Sequence, residues 1–166
     1  MCLLDWCLVN GFDSPHAPKR VKSMKEYWRK LIGKPIKYDD YDFVLGSRVI
    51  GEREKGALPV QSRIGSMIAG KLINLFWKVK YTDLGPFRAI KYNKLLELEM
   101  QDPWFGWTVE MQIKAAKKRY KILEIPVRYR KRIGKSKVTG TLKGTVMASL
   151  IIMKTIFSEL FTKNDI

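Results

Sequence analysis

The sequence predicts an α/β layered domain with a mixed sheet flanked by helices. Stretches with apolar residues at helical spacing alternate with short apolar runs that end at Gly or Pro, and the connections have helical length. Residues 18–32 read as a helix, with Val21, Met24, Trp28, Leu31 and Ile32 on one stripe and Gly33 as its stop. The run 41–45 reads as a buried strand entering a polar loop at Gly46, Ser47 and Arg48. A second helix spans 61–80, with Ile64, Ile68, Leu72, Leu75, Phe76 and Val79 as its core stripe. Gly85 and Pro86 break the chain before a strand at 87–92, and a short helix follows over 93–100. Residues 107–120 form a further helix and 121–129 a strand carrying Ile122, Ile125 and Val127. A basic loop over 131–140 leads into a final helix, and no repeat or Pro/Gly-rich linker divides the chain.

Charge narrows the choice of partner. The chain carries 32 Lys and Arg against 16 Asp and Glu, a formal +16, which favours nucleic acid, anionic lipid or phosphorylated small molecules. Between 111 and 145 there are twelve Lys or Arg and a single acid, Glu124, so one face or groove is expected to be basic; scattered solvated lysines are the plainer alternative. The only cysteines, Cys2 and Cys7, exclude a disulfide scaffold and fit a reducing compartment. The apolar N-terminal stretch is interrupted by Asp5 and Asn10 and reads as neither signal peptide nor span. The apolar run 146–157 holds Lys154 and reads as too short to cross a hydrocarbon core of about 30 Å; it is expected to lie on a membrane, pack on the core, or join a longer span that this chain lacks.

Five ordered segments carry a resemblance. They are YDFVLGSR at 41–48, YTDLGPFRAI at 81–90, GWTVEMQIKA at 106–115, EIPVRYR at 124–130 and RIGKSK at 132–137. Together they are similar to the polyprenyl-phosphate branch of glycosyltransferase family two, whose best-known members are the dolichyl-phosphate mannose and glucose synthases. The resemblance runs from about Tyr41 to Phe157, some two thirds of the chain. It implies a GT-A (Rossmann-like) fold, a nucleotide-sugar donor, a divalent cation (Mg or Mn), a polyprenyl-phosphate acceptor and inversion at the sugar. It implies too a cytoplasmic enzyme, peripheral on the inner face of a membrane. The chemistry is coherent, because a phosphate monoester is already a nucleophile at neutral pH and needs positioning and charge neutralisation rather than a strong base.

The resemblance assigns roles to particular residues. Arg48 stands where the family has a phosphate-contacting arginine, at a strand end where ligands collect in such sheets; a surface arginine is the alternative. Arg63 and Ser66 resemble an acceptor-phosphate pair, against solvated positions on a helix face. Arg132, Ser136 and Lys137 belong to a basic loop that closes over the site in relatives, against an ordinary exposed loop. Asp83 is the acid expected nearest the reacting sugar, binding its hydroxyls or taking a proton; a turn acid before Gly85 and Pro86 is the alternative. Trp107 and Glu110 open a helix in the acceptor region, where an aromatic and an acid in the first turn also stabilise a helix. His16, between two prolines, carries no assigned role.

The N-terminal part departs from the family pattern. Relatives place an Asp-x-Asp metal motif here, whereas this chain offers Asp13, with Gly11 at the other position, so half a metal site is expected at best. The organisation expected is therefore a divergent remnant of the donor- and metal-binding half over 1–40, an acceptor-side region over 41–140 and a C-terminal amphipathic helix over 141–166. That is a truncated GT-A fold, inactive alone, with an exposed apolar edge at the 41–45 strand. Two other classes compete: a basic nucleic-acid-binding module and a non-catalytic membrane-surface module. Nucleic acid is the weaker partner, since the aromatics fall on apolar stripes and no recognised RNA or DNA motif is present.

Overall fold

A computed structural model of the chain describes residues 34–85, 87–102, 106–130 and 142–162. The expected helix over 18–32, both cysteines, Asp13, His16 and the loop bearing Arg132, Ser136 and Lys137 lie outside the described residues. The described elements run α1 (Lys34–Tyr38), β1 (Phe43–Ser47), α2 (Val60–Trp77), β2 (Arg88–Ile90), α3 (Tyr92–Glu97), α4 (Trp107–Lys117), β3 (Ile122–Pro126) and α5 (Leu142–Phe161).

The three strands form a mixed sheet in the order β2-β1-β3, with helices packed against it. β1 pairs antiparallel with β2, Val44 opposite Ala89, and parallel with β3, Leu45 opposite Glu124. The edge expected at 41–45 is thus overturned: β1 is the central strand and every one of its residues is buried. Gly46 and Ser47, expected in a loop, continue the strand because they pair with Ile125 and Pro126. Other boundaries shrink for local reasons. α2 stops at Trp77, where Lys78 turns left-handed (φ 60°) and its N–H bonds to the Asn74 carbonyl. α4 stops at Lys117, and Arg119 (φ 52°) reverses the chain into β3.

Alternation along β1 divides the core. Phe43 and Leu45 face the helices, packing with Ile73 of α2, Met111 and Ile113 of α4 and Ile156 of α5. Val44 and Ala89 face the other way, under Ile36, Tyr41, Phe87, Leu123 and Ile125.

α2 follows the expected stripe only in part: Leu72 and the following Val79 pack against the core, but the buried positions of the helix are others. Its buried residues are the small Ser66, Ala69 and Gly70 together with Ile73, whereas Ile64, Ile68 and Leu75 of the predicted core stripe are exposed. Gly70 explains the arrangement, since a Cβ there would collide with the Tyr81 carbonyl; small residues let the helix press onto the chain at 81–85. α5 shows the same pattern. Ile156 is fully buried, while Val146, Met147, Leu150, Phe157 and Phe161 are exposed. Glu159 reaches inward to Lys117 at 2.7 Å and ties α5 to α4. The apolar run 146–157 lies within a longer apolar stretch of α5. Gly144–Phe161 is 18 residues long with a mean hydropathy of 1.4, long and apolar enough to cross a membrane by length and composition, and only 11% of it is buried.

Candidate functional site

β1 delivers Arg48 to its C-terminal end, where the segment 81–85 crosses in front of it. Asp83 is 2% exposed and takes two bonds from the guanidinium, Nε to Oδ2 at 2.7 Å and Nη2 to Oδ1 at 2.8 Å. The Arg48 backbone N–H adds a third bond to Oδ2 at 3.0 Å, and the Ser66 hydroxyl one to Oδ1 at 3.3 Å. This is the planar, bidentate geometry for which arginine is suited. Gly85 allows it: a Cβ there would stand 3.0 Å from Asp83 Oδ2 and 3.1 Å from Arg48 Nε. The Tyr129 ring lies 5.3 Å from the centre of the guanidinium.

The electrostatics follow from this geometry. Burial alone would lift the Asp83 carboxyl, but the bonds and charge of Arg48 outweigh it and hold the group below the ordinary carboxylate range. Burial works against Arg48 as well, and Asp83 reverses it, so the guanidinium is held more firmly protonated than usual. Asp83 is therefore held ionised and is the bidentate partner of Arg48.

The 81–85 segment is itself tied down on several sides. Tyr81 donates to the Gln112 carbonyl at 3.0 Å, and Gln112 Nε2 donates to the Asp83 carbonyl at 3.1 Å. The hydroxyls of Thr82 and Ser47 meet at 2.6 Å, and Glu124 of β3 accepts the backbone N–H groups of Thr82 and Asp83. Beneath lies Arg88, donating to the carbonyls of Gly85 (2.6 Å) and Thr108 (2.7 Å) and stacked 5.2 Å from the Trp107 ring. Burial without a carboxylate partner pushes its pKa down to about 10, which still leaves it charged at neutral pH.

Beside this cluster a cleft of about 370 Å³ opens between α2 and the segment 80–82. Arg63, Lys71 and Lys80 bring positive charge to it, and Val49, Met67 and Tyr81 supply apolar surface. The structure thus joins Arg48, Ser66 and Asp83 directly and puts Arg63 on the neighbouring cleft. Ser66, expected on the polar side of its helix, faces inward instead. Glu110 is 3% exposed, and its two oxygens accept the N–H groups of Gln101 and Asp102, each at 2.8 Å, with Lys114 paired at 2.8 Å. Its geometry is that of a fold-holding acid, and Trp107 packs its ring against the Arg88 guanidinium.

The divalent cation that the resemblance implies does not fit the described residues. Among them no group of three or more His, Cys, Asp or Glu converges, and the Asp83 oxygens are already occupied by Arg48 and Ser66. Asp13 lies outside the described residues. Sequence reasoning missed Ser47, Thr82, Gln112 and Glu124 as parts of the site. Only Glu124 had a signal, as the one acid within a basic stretch.

Three curated proteins resemble the chain: proteins named uncharacterized glycosyltransferase from Mycobacterium bovis and from two strains of Mycobacterium tuberculosis. Each is 30% identical over 99 residues, which cover 59% of this chain and 45% of the relative. The chain therefore spans less than half the length of the curated relatives it matches. No family model and no solved structure matches it.

Proposed function

We propose that this chain is the acceptor-side part of a GT-A glycosyltransferase. The enzyme passes a sugar, with inversion, from a nucleotide-sugar donor to a polyprenyl phosphate at the cytoplasmic surface of a membrane. The observation that carries the reading is the Arg48–Asp83–Ser66 cluster at the end of β1, beside a cationic cleft with an apolar wall. A phosphate on an apolar chain is the ligand that such a cleft complements, with charge at one end and hydrocarbon at the other. The similarity to proteins named glycosyltransferase and the five ordered segments support the transfer chemistry.

In this reading the acceptor phosphate is the nucleophile and needs no strong base. Arg63 and the N–H groups of Arg48 not bound to Asp83 hold its oxygens and fix the direction of attack. Asp83, being ionised and weakly basic, orients Arg48 rather than taking a proton. The outward apolar faces of α2 and α5 set the cleft at headgroup level, with Lys71 and Lys154 as cations suited to anionic lipid.

The test is transfer of radiolabelled sugar from several nucleotide sugars to polyprenyl phosphate, with manganese or magnesium. The chain alone is compared with a fusion to the N-terminal half of a relative. Turnover is expected from the fusion only, falling by roughly 10²-fold or more when it carries Arg48→Ala. The apolar faces of α2 and α5, exposed among the described residues, favour a second reading, a non-catalytic membrane-surface module. An inactive fusion that still binds vesicles selects that module, and salt-dependent oligonucleotide binding without vesicle binding rejects both.

A further inference from the structure

We propose that Glu124 is the positioning residue of this site: its carboxylate clamps the backbone amides of Thr82 and Asp83 and so sets the angle at which Asp83 holds Arg48. The inference rests on reading the cluster as an anion site, but the clamp is testable without it. Glu124 Oε1 accepts the Thr82 N–H at 3.0 Å and the Asp83 N–H at 3.2 Å, and Oε2 accepts the Thr82 N–H at 3.1 Å. The donor segment lies about forty residues upstream, yet the carboxylate's place is fixed, because β3 pairs parallel with the central strand and Glu124 stands opposite Leu45. One strand register thereby sets the tie that holds the amides at the centre of the 81–85 segment. The same segment then delivers Asp83 to Arg48 within a few tenths of an ångström of ideal bidentate geometry.

Charge is what distinguishes this acid from a generic hydrogen-bond partner. A carboxylate offers two acceptor oxygens to the amides, whereas a carboxamide offers one and turns an NH₂ toward the backbone donors. The titratable and charged groups around Glu124 are Asp83 and Tyr81, with Arg48 beyond, paired to Asp83. Burial, aided by the like charge of Asp83, outweighs the amide bonds and lifts the Glu124 carboxyl above its ordinary value. The clamp therefore opens at milder acidity than the Arg48–Asp83 pair does.

The experiment is a pH titration of the full chain by amide and arginine Nε–H resonances in ¹⁵N–¹H spectra. It compares the wild type with Glu124→Gln and Asp83→Asn, and adds inorganic sulfate binding, since sulfate does not titrate in this range. In the wild type the Thr82 and Asp83 amide protons are expected to move together on one acid titration curve, and the Arg48 Nε–H resonance to broaden along it. Glu124→Gln should abolish that curve and weaken sulfate binding by roughly tenfold. Asp83→Asn should keep the Thr82 curve but move it to lower pH, since the like charge that helps lift Glu124 is gone. Amides that do not follow a common titration in the wild type overturn the clamp, whether or not the variant folds. An unchanged Arg48 Nε–H resonance in folded Glu124→Gln overturns the positioning role. Absence of sulfate binding in the wild type, with the titration intact, counts against the anion-site reading instead and leaves the clamp established.

Discussion

Asp83 receives both arms of one guanidinium, a backbone amide and a hydroxyl while almost wholly shielded from water. Removing its charge leaves Arg48 half-buried and unpaired, so Asp83→Asn should lower unfolding free energy by about 3 kcal/mol at neutral pH, read by urea denaturation. The pH dependence has a definite sign. The folded-state pKa of Asp83 lies below its unfolded value, so its stabilisation is fully present above the ordinary value of 3.8 and is lost as pH falls through the lower, folded one. The gap between wild type and variant should therefore narrow in strong acid and stay constant from mildly acidic to neutral pH. At this scale the sequence was informative about Arg48 and Asp83, which sit in ordered segments next to glycines. It gave no role to Ser47, Thr82 or Gln112, since neutral polar residues acquire meaning only when tertiary pairing aligns them.

Periodicity located α2 and α5, but it could not say which stripe of either helix turns inward. Along α2 the larger apolar side chains suggested the core face; Leu72 does pack there, but the buried positions are Ser66, Ala69, Gly70 and Ile73. Hydrophobicity alone does not outrank fit, because α2 must approach the Tyr81 carbonyl closely and only small residues permit it. The larger ones, with those of α5, are left pointing outward. Each half-exposed Ile or Leu offers roughly 1 kcal/mol on insertion among lipid chains, and basic residues add to this on an anionic surface. The chain should float with anionic liposomes at moderate salt, and the double substitution Ile64→Glu with Leu150→Glu should return it to the soluble fraction without loss of fold. Equal recovery with and without anionic lipid would remove the membrane from the reading.

At the scale of the whole molecule, the central position of β1 determines what can be built. It collects β2 and β3 on its two sides and α2, α4 and α5 on one face, so Arg48, at the strand's end, meets Asp83 of the 81–85 segment and the Tyr129 ring after β3, with Ser66 of α2 bonded to the same Asp83. Mixed α/β layering was legible because strand and helix periods alternate along the chain. The centrality of β1 was not, since pairing partners separated by up to 80 residues leave no local mark. The proposed ligand of this strand end and its cleft is a phosphate borne on an apolar chain. Calorimetric titration of the chain with a short-chain polyprenyl phosphate and with the matching prenyl alcohol tests this proposal most directly, using wild type, Arg48→Ala and the exposed Arg63→Ala. The expected result is binding of the phosphate, at least tenfold weaker binding of the alcohol, and a loss of roughly tenfold or more in phosphate affinity in each variant. Equal affinity for phosphate and alcohol, or variants that bind as tightly as the wild type, would contradict the claim.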